Sequence, residues 1–270
     1  MPDWFKRDLT SLALCWRLAR ADGAVLGFTS HDRDIMVDGL TYRAMPGMMP
    51  SAIERRDTLD PDTAELAGVL TSNLVTAADL IAGRWDGAQL RLFAIDWTNP
   101  DDEPLFLLRG VLGDIESDGA RFSAELRGPA ADLEAPVIEE TSPECRASLG
   151  DRRCRVDLSG RRCLARVVSA DGLELVLDDL AGAPDDFAFG LIRWLDGANA
   201  GLSGTIASSA GHGVTLRDAP AFETEAGALV ELTQGCDKRF ATCSTRFGNA
   251  LNFRGEPHLP GNDLLVRYAQ

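Results

Sequence analysis

From Ser11 the chain alternates, with Leu12, Leu14, Trp16 and Leu18 falling on one side and Ser11, Ala13, Cys15 and Arg17 on the other. That period of two predicts a strand with one buried face. A turn at Ala21-Asp22-Gly23 sends the chain back along residues 25–28. Asp38-Gly39, set between Ile35-Met36-Val37 and Leu40-Thr41-Tyr42, predicts a two-residue hairpin, whose central positions both need positive φ. Meandering antiparallel strands are therefore expected to open the protein. One helix interrupts them: Thr76 can cap it, Asp79 follows three residues on, residues 77–82 tolerate helix, and Gly83 can end it. Alternation returns at residues 89–97, 105–108 and 121–126, enough to complete a sheet or barrel.

A short helical stretch is predicted over residues 129–134, with a domain boundary near Ala135-Pro136-Val137. Beyond it, Ser142-Pro143-Glu144 carries a helix-start signal and Gly150 a stop signal. Cys145 would then lie in the first helical turn and Cys154 just past the helix. Residues 174–177, 189–195, 203–206, 214–216 and 228–232 read as short strands between Gly, Asp and Pro turns, the pattern of a small barrel. Residues 245–270 have little periodicity and read as an extended tail. The expected fold is mainly β, with two β-barrel-like or β-sandwich domains, a few short helices and a small cysteine-ligated region. Residues 1–135 form the first domain. Residues 136–164 and 233–270 form the cysteine-bearing region, and residues 165–232 the barrel inserted in it.

Composition narrows the function. A chain of 270 residues can bury two cores of ordinary size. It has no run of 18 apolar residues, and its start, MPDWFKRDLT, lacks the apolar stretch of a secretory signal. A soluble, cytoplasmically synthesised protein with no membrane insertion is expected, and in that compartment cysteines stay reduced. The net charge of −15 argues against a protein that grips nucleic acid through its phosphates. It is compatible with a surface past which DNA slides. There is no phosphate loop, dinucleotide fingerprint or nucleophile elbow, and His31, His212 and His258 lie in turn-like settings. No catalytic residue is assigned, and an enzyme is not expected.

Chemistry concentrates in the cysteines. Cys145 and Cys154 are separated by eight residues, Cys236 and Cys243 by six. Thiolates gathered from two distant segments suit a soft metal or an iron-sulfur cluster, although these spacings are not those of a zinc knuckle. Arg146, Arg152, Arg153 and Arg155 surround the first pair, with Lys238, Arg239 and Arg246 near the second. Cationic neighbours are expected to lower thiol pKa values there. Cys15, inside an alternating strand, reads as an apolar filler. Eight residues also separate Cys163 from Cys154, so its exchange for one of the four stays open.

The segment Gly235-Cys236-Asp237-Lys238-Arg239-Phe240-Ala241-Thr242-Cys243, continued by Arg246-Phe247-Gly248-Asn249 and on to Pro260-Gly261, resembles the tail-tip hub proteins of gene transfer agents and related siphophages. Trp194-Leu195-Asp196-Gly197-Ala198-Asn199-Ala200-Gly201 resembles the barrel signature of the same family. The cysteine spacing is also similar to the C-terminal iron-sulfur domain of the tail-tip protein L of lambda-like phages, where the two pairs follow closely. Here a long insert separates them. The resemblance implies a structural hub of a virion-like particle's tail tip or baseplate, a trimeric homo-oligomer between the distal tail ring and a host-contacting fibre or megatron protein. It implies a channel through which DNA passes without sequence-specific binding, and a [4Fe-4S] cluster on Cys145, Cys154, Cys236 and Cys243. An iron-sulfur redox protein and a zinc-stabilised adaptor are the alternatives.

Overall fold

The computed structural model describes residues 2–6, 11–45, 49–50, 63–69, 75–117, 121–128, 138–180 and 182–259. The chain forms two compact units, Met1–Val137 and Ile138–Gln270, and both are mainly β. Residues 129–137, where a short helix and the domain boundary were expected, lie outside the described residues. No described helix is long and apolar enough to cross a membrane.

The first unit contains β1 (Leu12–Ala19), β2 (Val25–Thr29), β3 (Ile35–Val37), β4 (Leu40–Ala44), β5 (Met49–Pro50), β6 (Thr63–Val69), α1 (Ala77–Ile81), β7 (Gln89–Asp96), β8 (Leu105–Ser117) and β9 (Arg121–Arg127). They build a nine-stranded sheet in the order β3-β4-β2-β1-β7-β8-β9-β6-β5. The β3–β4 hairpin turns at Asp38 and Gly39 with φ of 49° and 76°, as its two-residue signal requires. α1 starts where its cap predicts, with the Thr76 hydroxyl accepting the Asp79 N–H at 3.1 Å.

Two expectations for the opening strands are corrected. The hairpin folds back so that β4 runs parallel to β2, pairing Gly27 with Tyr42, so the meander is not wholly antiparallel. In consequence β1 is buried on both faces. Trp16 and Leu18 join one core with Phe28, Trp85, Leu90 and Leu92. Ala13 and Cys15 join a second with Ile35, Val37, Tyr42, Phe93 and Ile95. The hairpin supplies the apolar cover that the polar-looking side of β1 did not advertise.

Cys15 is the filler its setting predicts, fully buried with its thiol donating to the Thr29 hydroxyl at 3.7 Å. Burial pushes that thiol from an ordinary 9.0 up to about 11, and the Tyr42 phenol in the same core rises to about 12. A raised acid keeps its proton in the folded state after the unfolded chain has released it, so stability falls as pH climbs. The first unit is expected to lose about 2–3 kcal/mol from Cys15 alone between about pH 9 and pH 11. Urea titrations across that range, compared with Cys15→Ala, check it; the variant's slope with pH should be visibly flatter.

In the second unit, β10 (Arg162–Asp171), β11 (Glu174–Leu177), β12 (Leu191–Trp194), β13 (Ser203–Ala210), β14 (Gly213–Leu216) and β15 (Leu229–Thr233) close a barrel in the order β10-β11-β14-β13-β12-β15. Alternate residues fill it: Val167, Leu175, Leu177, Ile192, Trp194, Ile206, Val214, Leu216, Val230 and Leu232 form one core. The strand pattern of the sequence therefore translates directly into the barrel interior.

The helix expected from Ser142 to Gly150 is absent. Its backbone groups are spent on distant partners instead. Ser142 N–H reaches a Glu256 carboxylate oxygen at 2.9 Å, Cys145 N–H reaches Lys238 O at 2.8 Å, and Arg146 N–H reaches Arg254 O at 3.0 Å. The Ser142 hydroxyl accepts the Glu144 N–H in a local turn, so the capping residue is real but no helix follows it. The described part of the expected tail, residues 245–259, is not extended either. The short helix α2 (Phe240–Thr245) leads into a 3₁₀ turn at Ala250–Asn252.

Candidate metal centre

All four predicted cysteines come together in the second unit, at the two ends of the chain that flank the barrel. Cys145 sits on the irregular segment clamped between residues 238 and 254 by the hydrogen bonds above. Cys154 closes a turn organised by Asp151, whose carboxylate accepts the N–H groups of Cys154 at 2.6 Å, Arg153 at 2.8 Å and Ser148 at 2.8 Å. Those donors, the Cys154 amide foremost, hold the Asp151 carboxyl below the usual range. Cys236 follows β15 by three residues, and Cys243 lies buried in α2.

The sulfurs are cradled by N–H groups. Arg254 N–H donates to Cys145 Sγ at 3.4 Å, the Lys238 backbone N–H donates to the Cys236 sulfur, and the Asn249 amide donates to Cys154 Sγ at 3.6 Å. The fourth thiol, Cys243, donates to Asn249 O at 3.4 Å. Asn249 thus bridges two cysteines, and its amide also grips Cys154 O at 2.6 Å. Two residues beside the cysteines, Arg155 and Lys238, hold positive φ of 62° and 64°, a conformation that surrounding structure must impose on non-glycine residues.

The expected lowering of thiol pKa values is reversed at Cys236 and Cys243. Burial raises Cys236, against the opposing pull of Lys238. Burial also raises Cys243, and the neighbouring thiols Cys145, Cys236 and Cys154 push it further. The mutual influence places the four sulfurs within electrostatic reach of one another. Three of the nearby arginines, Arg146, Arg153 and Arg246, face carboxylates instead. Arg146 makes a two-pronged pair with Glu256 at 2.7 and 2.9 Å and a further bond to Glu139 at 3.2 Å, which Arg153 also holds. Lys238 Nζ turns to Ala147 O. Arg246 lies 3.3 Å from Asp186.

Among the described residues, no group of three or more His, Cys, Asp or Glu side chains is arranged to hold a single metal ion. Cys163 lies on β10, packed against the barrel core, with Sγ 3.7 Å from Asp179 O. His31 is tied to its own loop, accepting the Arg33 N–H at 3.1 Å and stacking near Trp97. Sequence reasoning missed Asn249 and the Arg146–Glu256 pair. Neither carries a local signal, since each acts on a cysteine segment about 100 residues away.

Arg146 first, then the Ser142 amide, holds Glu256 down to about 2. A depressed carboxylate stabilises the fold above its unfolded value of about 4.5, and that contribution fades as pH falls toward about 2. Glu256→Gln is therefore expected to be less stable than the parent at pH 7, with the gap closing between pH 4.5 and 2. Denaturant midpoints at pH 7 and pH 3 measure it.

The chain belongs to the family described as baseplate hub protein, N-terminal attachment domain, which matches residues 1–157; the protein is structural, not an enzyme. Residues 185–263 match a second family, phage conserved hypothetical protein BR0599. Among solved structures, a chain of the "Virion of native gene transfer agent (GTA) particle" is 39% identical with a TM-score of 0.84, over 98% of this chain and 94% of that one. No curated protein matches.

Proposed function

We propose that this chain is the hub of a gene-transfer-agent-like tail tip, carrying a structural [4Fe-4S] cluster on Cys145, Cys154, Cys236 and Cys243. The observation that carries the hub reading is the 39% identity, extending over 98% of the chain, to a component of a gene transfer agent virion. In this reading the chain is trimeric and joins the distal tail ring to the host-contacting fibre or megatron protein. It lines the channel by which DNA leaves, where a net charge of −15 keeps DNA from adhering. Residues 136–164 and 233–270 act as one region with the barrel inserted, an arrangement supported by the bonds between residues 142–146 and residues 238 and 254–256.

The residues fit the cluster. N–H groups already point at three of the four sulfurs, and such bonds favour thiolates and tune iron-sulfur sites. A single tetrahedral ion would need sulfurs about 3.8 Å apart, given Zn–S bonds of about 2.3 Å. A four-iron cluster, each iron taking one thiolate, holds its ligands farther apart. Cys145, Cys236 and Cys154 all act on Cys243, and a four-iron cluster would take one of these four thiolates at each iron. When bound, the cluster supplies a covalent cross-link between the segments that flank the barrel.

Two measurements separate the parts of this reading. Anaerobically purified chain is expected to show a broad absorbance near roughly 400 nm with about four irons and matching sulfide; zinc alone would replace the cluster by the adaptor reading. Particles made without the chain are expected to lack a tail tip and to fail in DNA delivery. Complete tails without it would overturn the hub reading whatever the metal.

A further inference from the structure

The strand register of the first unit places three arginines in one row. Arg17 on β1 lies opposite Arg91 on β7, and Arg91 lies opposite Arg109 on β8. Directly opposed residues of antiparallel strands share a face, so the three guanidinium stems rise side by side at a strand spacing of about 4.8 Å. Like charges so placed destabilise a sheet. Among the described residues none of the three donates a side-chain hydrogen bond or joins an ion pair. Elsewhere in the unit, Arg20 pairs with Asp22 and Arg84 with Asp79.

The row continues on the other side through Gly27 to Tyr42. Gly27 is pressed by the Tyr42 ring, 2.9 Å from where a Cβ would stand. Tyr42 feels the charges of both Arg17 and Arg91. Beside the row runs a line of aromatic rings, Tyr42 to Phe93 at 5.6 Å and Phe93 to Phe106 at 5.9 Å. Phe106 stands 61% exposed. Arg17, Arg91, Tyr42, Phe93 and Phe106 line a cavity of about 380 Å³, and among the described residues its one carboxylate is Asp38.

We propose that this groove docks an acidic segment of a partner protein, one that alternates carboxylates with apolar side chains. The carboxylates would meet Arg17, Arg91 and Arg109, and the apolar side chains would lie on Phe106. Charge complementarity selects this occupant: a row of three arginines has one carboxylate, Asp38, in the groove it borders, in a chain of net charge −15. An exposed aromatic side chain beside arginines, as Phe106 is, is the composition of an interface anchor. Nucleic acid fits less well, because the whole chain repels a long polyanion while a short acidic segment meets only the groove. The proposal stands apart from the cysteine site and does not depend on the cluster.

The test uses the full chain and a synthetic peptide, acetyl-Glu-Phe-Glu-Leu-Glu-amide, labelled for fluorescence anisotropy. Saturable binding is expected, weakening by tenfold or more in Arg91→Gln and severalfold in Arg109→Gln, and declining with added salt. Arg162→Gln, which removes the same charge from the barrel, should leave binding unchanged. Arg91→Gln should also hold or raise the melting temperature of the first unit, because it relieves like-charge crowding. A fall in melting temperature with unaltered peptide binding would make Arg91 a packing residue and overturn the proposal. So would equal weakening by Arg162→Gln, or tighter binding of a single-stranded oligonucleotide of equal charge than of the peptide.

Discussion

Gly235→Ala is expected to prevent the second unit from assembling its cysteine region. An alanine Cβ at this position would stand 2.0 Å from Ala188 O, 2.1 Å from Gly190 N and 2.3 Å from Phe189 C. All three are backbone atoms, so no side chain can swing aside. Gly190 meets the same obstruction from the opposite direction, 2.1 Å from Thr233 O. Two stretches of main chain therefore cross where only glycine fits, directly after β15 leaves the barrel and one residue before Cys236. Relief requires moving either the barrel exit or the segment that carries Cys236. Single substitutions costing more than about 4–5 kcal/mol are exceptional, and backbone collision of this kind is among the mechanisms that reach it. The expected readout is loss of the second unfolding transition, with the first unit still melting as in the parent. Gly255→Ala, whose Cβ would stand 2.4 Å from Glu144 O, should act in the same direction by forcing the Cys145 segment away from residue 254. A Gly235→Ala protein with an unchanged second transition would mean that this crossing is not tightly packed.

These crossings explain what the sequence could and could not disclose. The barrel was legible because its strands bury alternate residues, so Leu175, Leu177, Val214 and Leu216 mark the interior on their own. The β3–β4 hairpin was legible for a local reason too, the positive φ demanded of Asp38 and Gly39. The candidate metal residues stood out by residue type and spacing. What holds them did not, because segment 142–146 has the signals of a helix start and loses that contest to hydrogen bonds from residues 238, 254 and 256. The second buried face of β1 escaped for a similar reason: Ala13 and Cys15 look indifferent until a hairpin more than 20 residues away covers them. Strand β6 reads Thr-Ala-Glu-Leu-Ala-Gly-Val, too rich in Ala, Glu and Gly to announce itself. Local propensity reveals elements, whereas the partners of irregular backbone are fixed only by the closed fold.

If the four cysteines hold the proposed cluster, Cys243→Ser is expected to abolish iron binding, and to cost much of the stability of the second unit with it. Serine keeps the size and the hydrogen bond but replaces a soft sulfur by a hard oxygen, which iron-sulfur chemistry disfavours. Under the cluster reading, iron should fall from about four per chain to near none. A ligand bound a thousandfold above its dissociation constant stabilises the fold by about 4 kcal/mol, so the metal-loaded parent should exceed the variant by at least about that much. The apo forms give the contrast. Without metal, the variant only exchanges a thiol for a hydroxyl in the bond to Asn249 O, 3.4 Å long in the parent, a difference of about 1 kcal/mol or less. A large gap in loaded protein that vanishes after chelation assigns the stability to the metal and not to packing. Uptake should also strengthen as pH rises, because burial keeps protons on Cys236 and Cys243 and those protons must leave before iron binds. Cys163→Ser serves as the control, since Cys163 belongs to the barrel strand β10 and should retain full iron. If Cys163→Ser loses iron while Cys243→Ser keeps it, the ligand set is wrong and the second pair of cysteines is structural filler.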